Sequence, residues 1–175
     1  MVIEGRCAII KTMTIMAQNS ETIETLNDLI LINNDRIAGY EKAEAEAGEL
    51  ENDLRAMFHN LAEESRRNVL DLQGHVTHLG GEPATGTMLS GKLYRVWMDI
   101  RATFTSDNRR AVLENAEMGE DAAKKAYEEA LKSEELPADV RQLILSQYTA
   151  VQAAHDTLKT DRDRQRDVSK YPLTT

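Results

Sequence analysis

The chain has 175 residues, with 30 acidic against 21 basic side chains, a formal net charge of -9, 41% apolar residues and only 5% aromatic ones. A domain of this length can bury a sizeable core, and the single cysteine excludes a disulfide framework or a thiolate zinc cluster. The negative charge repels polyanions, so nucleic acid is not an expected partner; no run of about 18 apolar residues is present to span a membrane, so a membrane is not expected either.

Residues 1–18 read as a disordered leader or an over-extended start, with Met13 or Met16 as alternative initiators. Lys11 splits the apolar patch and Glu4 offsets Arg6, which makes a poor secretory signal. Cys7 falls in this stretch and supports no nucleophilic role. Residues 19–166 read as the folded bundle and 167–175 as a flexible tail.

The pattern from Ser20 onward is helical. Ser20 can cap a helix start, with Glu21 and Glu24 in the first turn where the dipole favours negative charge. Ile23, Leu26, Ile30, Asn33, Ile37 and Glu44 recur at helical spacing, which predicts a first helix over 20–47, broken by Gly48. Leu54, Met57, Phe58, Leu61, Ser65, Asn68, Leu72, His75, Val76 and Leu79 form the stripe of a second helix, stopped by Gly80, Gly81 and Pro83. Each is roughly 40 Å long, and the short connection makes them an antiparallel hairpin.

Residues 84–106 read as a crossover containing a shorter helical run, LYRVWMDIRATF. Tyr94, Trp97 and Met98 are expected to pack on the bundle and close one of its grooves. Ser106 or Asp107 caps a third helix to about 131, whose stripe (Val112, Ala116, Gly119, Ala123, Ala126, Tyr127, Ala130) permits close helix approach. Pro137 opens a fourth, with Val140, Leu143, Ile144, Gln147, Val151, Ala154 and Leu158 inward, dissolving into mixed charge at KTDRDRQRD. No strand pattern competes. The chain is all-α, two antiparallel hairpins joined by a long, partly helical crossover in one four-helix bundle.

TLNDLILINNDRIAGYEKA, LGGEP, GKLYRVWMDIRA, GEDAAKKAYEEAL and QAAHDTLKTDRD resemble an uncharacterised bacterial four-helix-bundle family, a domain of unknown function grouped with the ferritin-like superfamily. The resemblance covers residues 20–166 and implies a ferritin-like antiparallel bundle. It lends no established activity, but the superfamily implies a dinuclear iron or manganese centre to be sought among this chain's residues.

Such a centre needs inward carboxylates from two helices and a Glu-x-x-His on each of the other two. Three residues before His59, His75, His78 and His155 stand Ala56, Leu72, His75 and Gln152, so that motif is missing. Non-standard candidates are Glu41, Glu44, Glu64, Glu120 and His155. No metal is the favoured reading. Asn33, Ser65, Asn68 and Gln147 instead predict a buried polar layer that fixes helix register. His75 and His78 are read as basic groups suited to a helix C-terminus.

Gly86 to Lys92 imitates a phosphate loop, but Leu93 stands where the hydroxyl is required and no strand precedes it. The acidic run Glu41, Glu44, Glu46, Glu49 and Glu51 reads as a solvated face, and no calcium loop accompanies it. The expected protein is therefore a non-catalytic, cytoplasmic helical bundle with a structural or interaction role, stress-associated by superfamily analogy, and compatible with a homo-oligomer. The alternative is a metal-binding redox or storage protein with non-standard ligands.

Overall fold

The computed structural model describes residues 2–46, 52–87 and 109–170. Four helices are found there: α1 Val2–Glu46, α2 Asn52–His78, α3 Arg109–Leu131 and α4 Ala138–Lys170. Among the described residues there is no strand, and no helix is long and apolar enough to cross a membrane. The expected break at Gly48, the caps Ser106 and Asp107, and the crossover run with Tyr94, Trp97 and Met98 lie outside the described residues.

Pairs of side chains establish the helix directions. Glu41 meets Arg66 and Glu44 meets His59, so α1 and α2 are antiparallel. Asn33 with Tyr127 and Arg36 with Glu120 set α1 antiparallel to α3. Glu128 of α3 accepts from the Tyr148 hydroxyl of α4, and Glu117 of α3 accepts from Arg162 further along α4, so α3 and α4 are antiparallel too. It follows that α2 and α3 run the same way. The end of α2 and the start of α3 therefore lie at opposite ends of the bundle, and a short turn cannot join them.

The start of that connection is held by two asparagines on α1. Asn27 donates through Nδ2 to the Glu82 carbonyl (3.1 Å) and accepts through Oδ1 from the Ala84 amide (2.7 Å); Asn34 donates to the Gly86 carbonyl at 2.7 Å. The chain leaving α2 therefore turns back along α1. Its turn is a Schellman cap, with the Gly81 amide donating to Val76 O and the Gly80 amide to Thr77 O. At the opposite hairpin Arg141 donates to the Leu131 carbonyl, satisfying an acceptor that α3 leaves open at its end, and to the Ser133 carbonyl in the turn that follows.

Two helix limits differ from those predicted. Ser20 is not a cap, because α1 continues back to Val2. Within it, contact with the rest of the bundle is visible from Gln18, whose amide donates to the Glu135 carbonyl at 2.7 Å. The charged run after Leu158 stays helical to Lys170, where Asp161 pairs with Arg109 and Arg162 with Glu117.

The core is built from Leu26, Leu29, Ile30, Leu54, Phe58, Leu72, Leu113, Ile144, Val151 and their neighbours. The inward line of α1 also departs from the predicted one. Ile37 is only partly buried and Glu44 lies at the edge, while Arg36, Tyr40 and Ala43 are buried. A straight helix drifts by about 20° per heptad, so a stripe stepped by sevens from Ile23 leaves the core by Glu44. The true line regresses by a residue.

Gly80 adopts a φ of 82°, and a Cβ there would meet no neighbour. Gly80→Ala should therefore lower stability through backbone strain alone, by roughly 1 kcal/mol, as read from chemical denaturation with helix content unchanged.

Candidate functional site

The centre of the bundle is polar. Arg36 on α1 is completely buried, and its guanidinium forms a two-pronged pair with Glu120 of α3, Nε to Oε1 at 2.8 Å and Nη2 to Oε2 at 3.1 Å. Tyr40, one turn further along α1, donates its hydroxyl to the same Glu120 Oε1. Its ring stacks on Phe58 at 5.9 Å between centroids, and Arg36 lies 5.9 Å from the Tyr40 ring centre. From α2, Glu64 brings Oε1 to 3.8 Å from Arg36 Nη2. That oxygen is buried and has no hydrogen-bond partner among the described residues.

A ring of hydrogen bonds adjoins this cation and touches all four helices. Arg36 Nη1 donates to Asn33 Oδ1 at 3.0 Å, and Asn33 Nδ2 donates to the Tyr127 hydroxyl at 2.7 Å. Tyr127 donates to Gln147 Oε1 at 2.9 Å; Gln147 Nε2 donates to the Asn68 carbonyl at 3.2 Å; Asn68 Nδ2 returns to Asn33 Oδ1 at 3.5 Å. Buried polar groups with every partner present give a core one preferred register, because slipping a helix by a turn would orphan several of them. Ser65 is buried beside the ring but donates to its own helix at Leu61 O.

The charges respond to this enclosure. Burial works to strip the Arg36 proton, but the Glu120 carboxylate outweighs it and the guanidinium holds its proton more firmly than in water. Burial and then Glu120 push the Tyr40 phenol well above its ordinary value. Burial pushes Tyr127 up to about 12, against the Asn33 hydrogen bond. Glu64 is raised by burial, with Arg36 opposing.

The other sequence candidates lie elsewhere. Glu41 is an exposed partner of Arg66, and Glu44 pairs with the exposed His59 at 3.2 Å. His155 is buried on α4, where Nε2 sits 3.2 Å from Asp121 and 3.7 Å from Glu117, and Nδ1 lies 3.0 Å from Asp156. No contact joins His155 to Glu120 among the described residues. Of the five metal candidates, then, only Glu64 and Glu120 converge, and they converge on Arg36. Arg36 and Tyr40 escaped the sequence reading, although Leu26, Leu29, Asn33, Arg36, Tyr40 and Ala43 form an unbroken three-and-four stripe. A charged side chain is rarely fully buried unless it is paired, and the spacing of this stripe does not reveal the pair.

These residues do not fit a dinuclear metal centre. A metal would need carboxylate oxygens at ~2.0–2.2 Å, and the two that converge already face a fixed guanidinium. Two such charges at ~4 Å repel by roughly 4 kcal/mol per unit of metal charge at an effective dielectric of 20. Among the described residues no group of three or more His, Cys, Asp or Glu is arranged to hold an ion.

Comparison with known proteins agrees with the fold. The family model described as Domain of unknown function (DUF2383) matches residues 21–133. A point variant of Dps1 from Mycobacterium smegmatis superposes with a TM-score of 0.68 at 13% identity, over 83% of this chain and 97% of that one. A structure titled as ferritin-like, diiron-carboxylate proteins from Bacillus anthracis str. Ames gives 0.61 at 20% identity, over 85% and 96%. At these identities the likeness is one of fold, a ferritin-like four-helix bundle. No curated protein matches.

Removing one partner of a fully buried ion pair strands the other. Arg36→Met should cost about 3–5 kcal/mol in denaturant unfolding, and the double variant Arg36→Met with Glu120→Leu should recover much of it. A second expectation concerns pH. Because Glu64 is raised on folding, the folded chain binds more protons than the unfolded one between the ordinary carboxyl value and the raised one. Stability is then higher below that window and falls as pH rises through it. Glu64→Gln should flatten this fall, measured as the denaturation midpoint against pH.

Proposed function

This chain belongs to the family described as a domain of unknown function (DUF2383), and from that premise we propose that it is a structural or interaction module, a ferritin-like bundle closed by an arginine–carboxylate centre. The carrying observation is Arg36, completely buried and paired with Glu120 with Glu64 alongside. One fixed protein cation supplies the charge that opposes these two carboxylates, and it needs no exchangeable ion. A centre of this kind holds the helices in register and offers no open coordination position or nucleophile for chemistry. The single cysteine suits a reducing compartment such as the cytoplasm. A stress-associated role is supported by likeness of fold alone.

A second reading keeps iron or manganese, held for redox or storage by non-standard ligands. It is favoured by the fold shared with the Bacillus anthracis diiron-carboxylate structure and by His155 lying against Glu117 and Asp121. Arg162 already pairs with Glu117, which weakens that cluster as a cation site.

Metal analysis of the aerobically purified chain, together with a ferrous oxidation assay, tests the choice. The arginine-centre reading expects no stoichiometric iron or manganese and an oxidation rate equal to that of buffer. Stoichiometric metal that is lost in His155→Ala and retained in Arg36→Met would establish the second reading instead.

A further inference from the structure

The outer face of α2 carries features the bundle itself does not use. Leu70 is 66% exposed, among the most exposed large apolar side chains described. One turn on, Gly74 stands within the helix about one turn before its end at His78, where glycine still forms helix less readily than any residue but proline. Nothing among the described residues explains it: a Cβ at Gly74 would meet none of their atoms within 4 Å. Beside it runs a groove of about 550 Å³ between α2 and α4, lined by Leu70, Asp71, Gly74, His75 and His78 of α2 and by Asp139 and Leu143 of α4. A bare helix backbone next to an exposed leucine is the surface that lets a second helix approach closely.

The charges on this face indicate which helix. Arg67, Asp71 and His78 are all exposed along the same ridge of α2. An antiparallel two-fold crossing at Gly74 pairs each residue with one about equally far beyond it in the other copy. Asp71 then faces His78, twice. An acid meets a base at both copies of this pair, so the ridge is complementary to itself in that one orientation; a parallel crossing would set Asp71 against Asp71 and His78 against His78.

We propose that the outer face of α2 is the docking surface for a second copy of this chain, crossing two-fold at Gly74 with Leu70 from each copy filling the groove of the other. This gives the interaction reading a definite partner. It stands apart from the arginine centre, because no residue involved touches Arg36.

The oligomeric state of the full chain, measured by sedimentation and light scattering over a concentration series, tests it. The wild-type chain should be dimeric. Leu70→Asp and Asp71→Arg should each weaken the dimer by about tenfold or more, with helix content unchanged because both side chains are exposed in the single chain. The double variant Asp71→Arg with His78→Glu should restore it. These positions lie about 10 Å apart along their own helix, so restoration cannot come from within one chain. A monomeric wild type, a dimer indifferent to both single variants, or a double variant that stays dissociated would each overturn the proposal.

Discussion

The fold depends on a buried cation finding its anion. Arg36 lies on α1 and Glu120 on α3, and each has been taken wholly out of water. Neither charge is tolerable without the other, since the effective penalty for burying one ion is several kcal/mol. The pair is therefore less a source of stability than a condition on geometry. Any packing that separates α1 from α3 by a further turn leaves two charges stranded. Tyr40 adds a hydroxyl to the same carboxylate, and Asn33 supplies the oxygen for another guanidinium nitrogen. Arg36 thus has its donors directed before any apolar packing is considered.

The condition spreads from there. Asn33 passes it to Tyr127, Tyr127 to Gln147 and Gln147 to the backbone of Asn68, so all four helices are keyed to one layer. Apolar stripes alone would tolerate sliding, because leucine packs against leucine at many offsets. The polar ring does not. Its cost is a core with fewer apolar contacts at mid-height, offset by the leucines and isoleucines above and below. Where a metal-binding bundle uses inward carboxylates to hold ions, the carboxylates here hold an arginine.

The ends of the hairpins are handled differently. Gly80 turns the chain out of α2, and Asn27 and Asn34 direct the next residues along α1. The connection thereby sets out away from the α2 and α4 side, the side on which Leu70 is exposed and Gly74 is bare. Topology and surface chemistry are linked in this way: the route on which a connection starts bears on which helix face remains available.

From the sequence by itself came the all-α class, the four helices, the stop at Gly80 and Gly81 and the hairpin pairing. These follow from local rules, namely a 3.6-residue period and the conformational freedom of glycine. Asn33, Asn68 and Gln147 could likewise be placed inward by counting along stripes. What counting could not do was place Arg36, because a charged side chain is assigned outward unless its partner is known. That partner is 84 residues away on another helix. The same limit explains why Glu41 and Glu44 looked as eligible as Glu64 and Glu120. All four lie on helices at plausible heights, and only the packing of α1 against both α2 and α3 decides which carboxylates share an interior. Burial of charge is a property of pairs, and the pairs exist only once the helices have met.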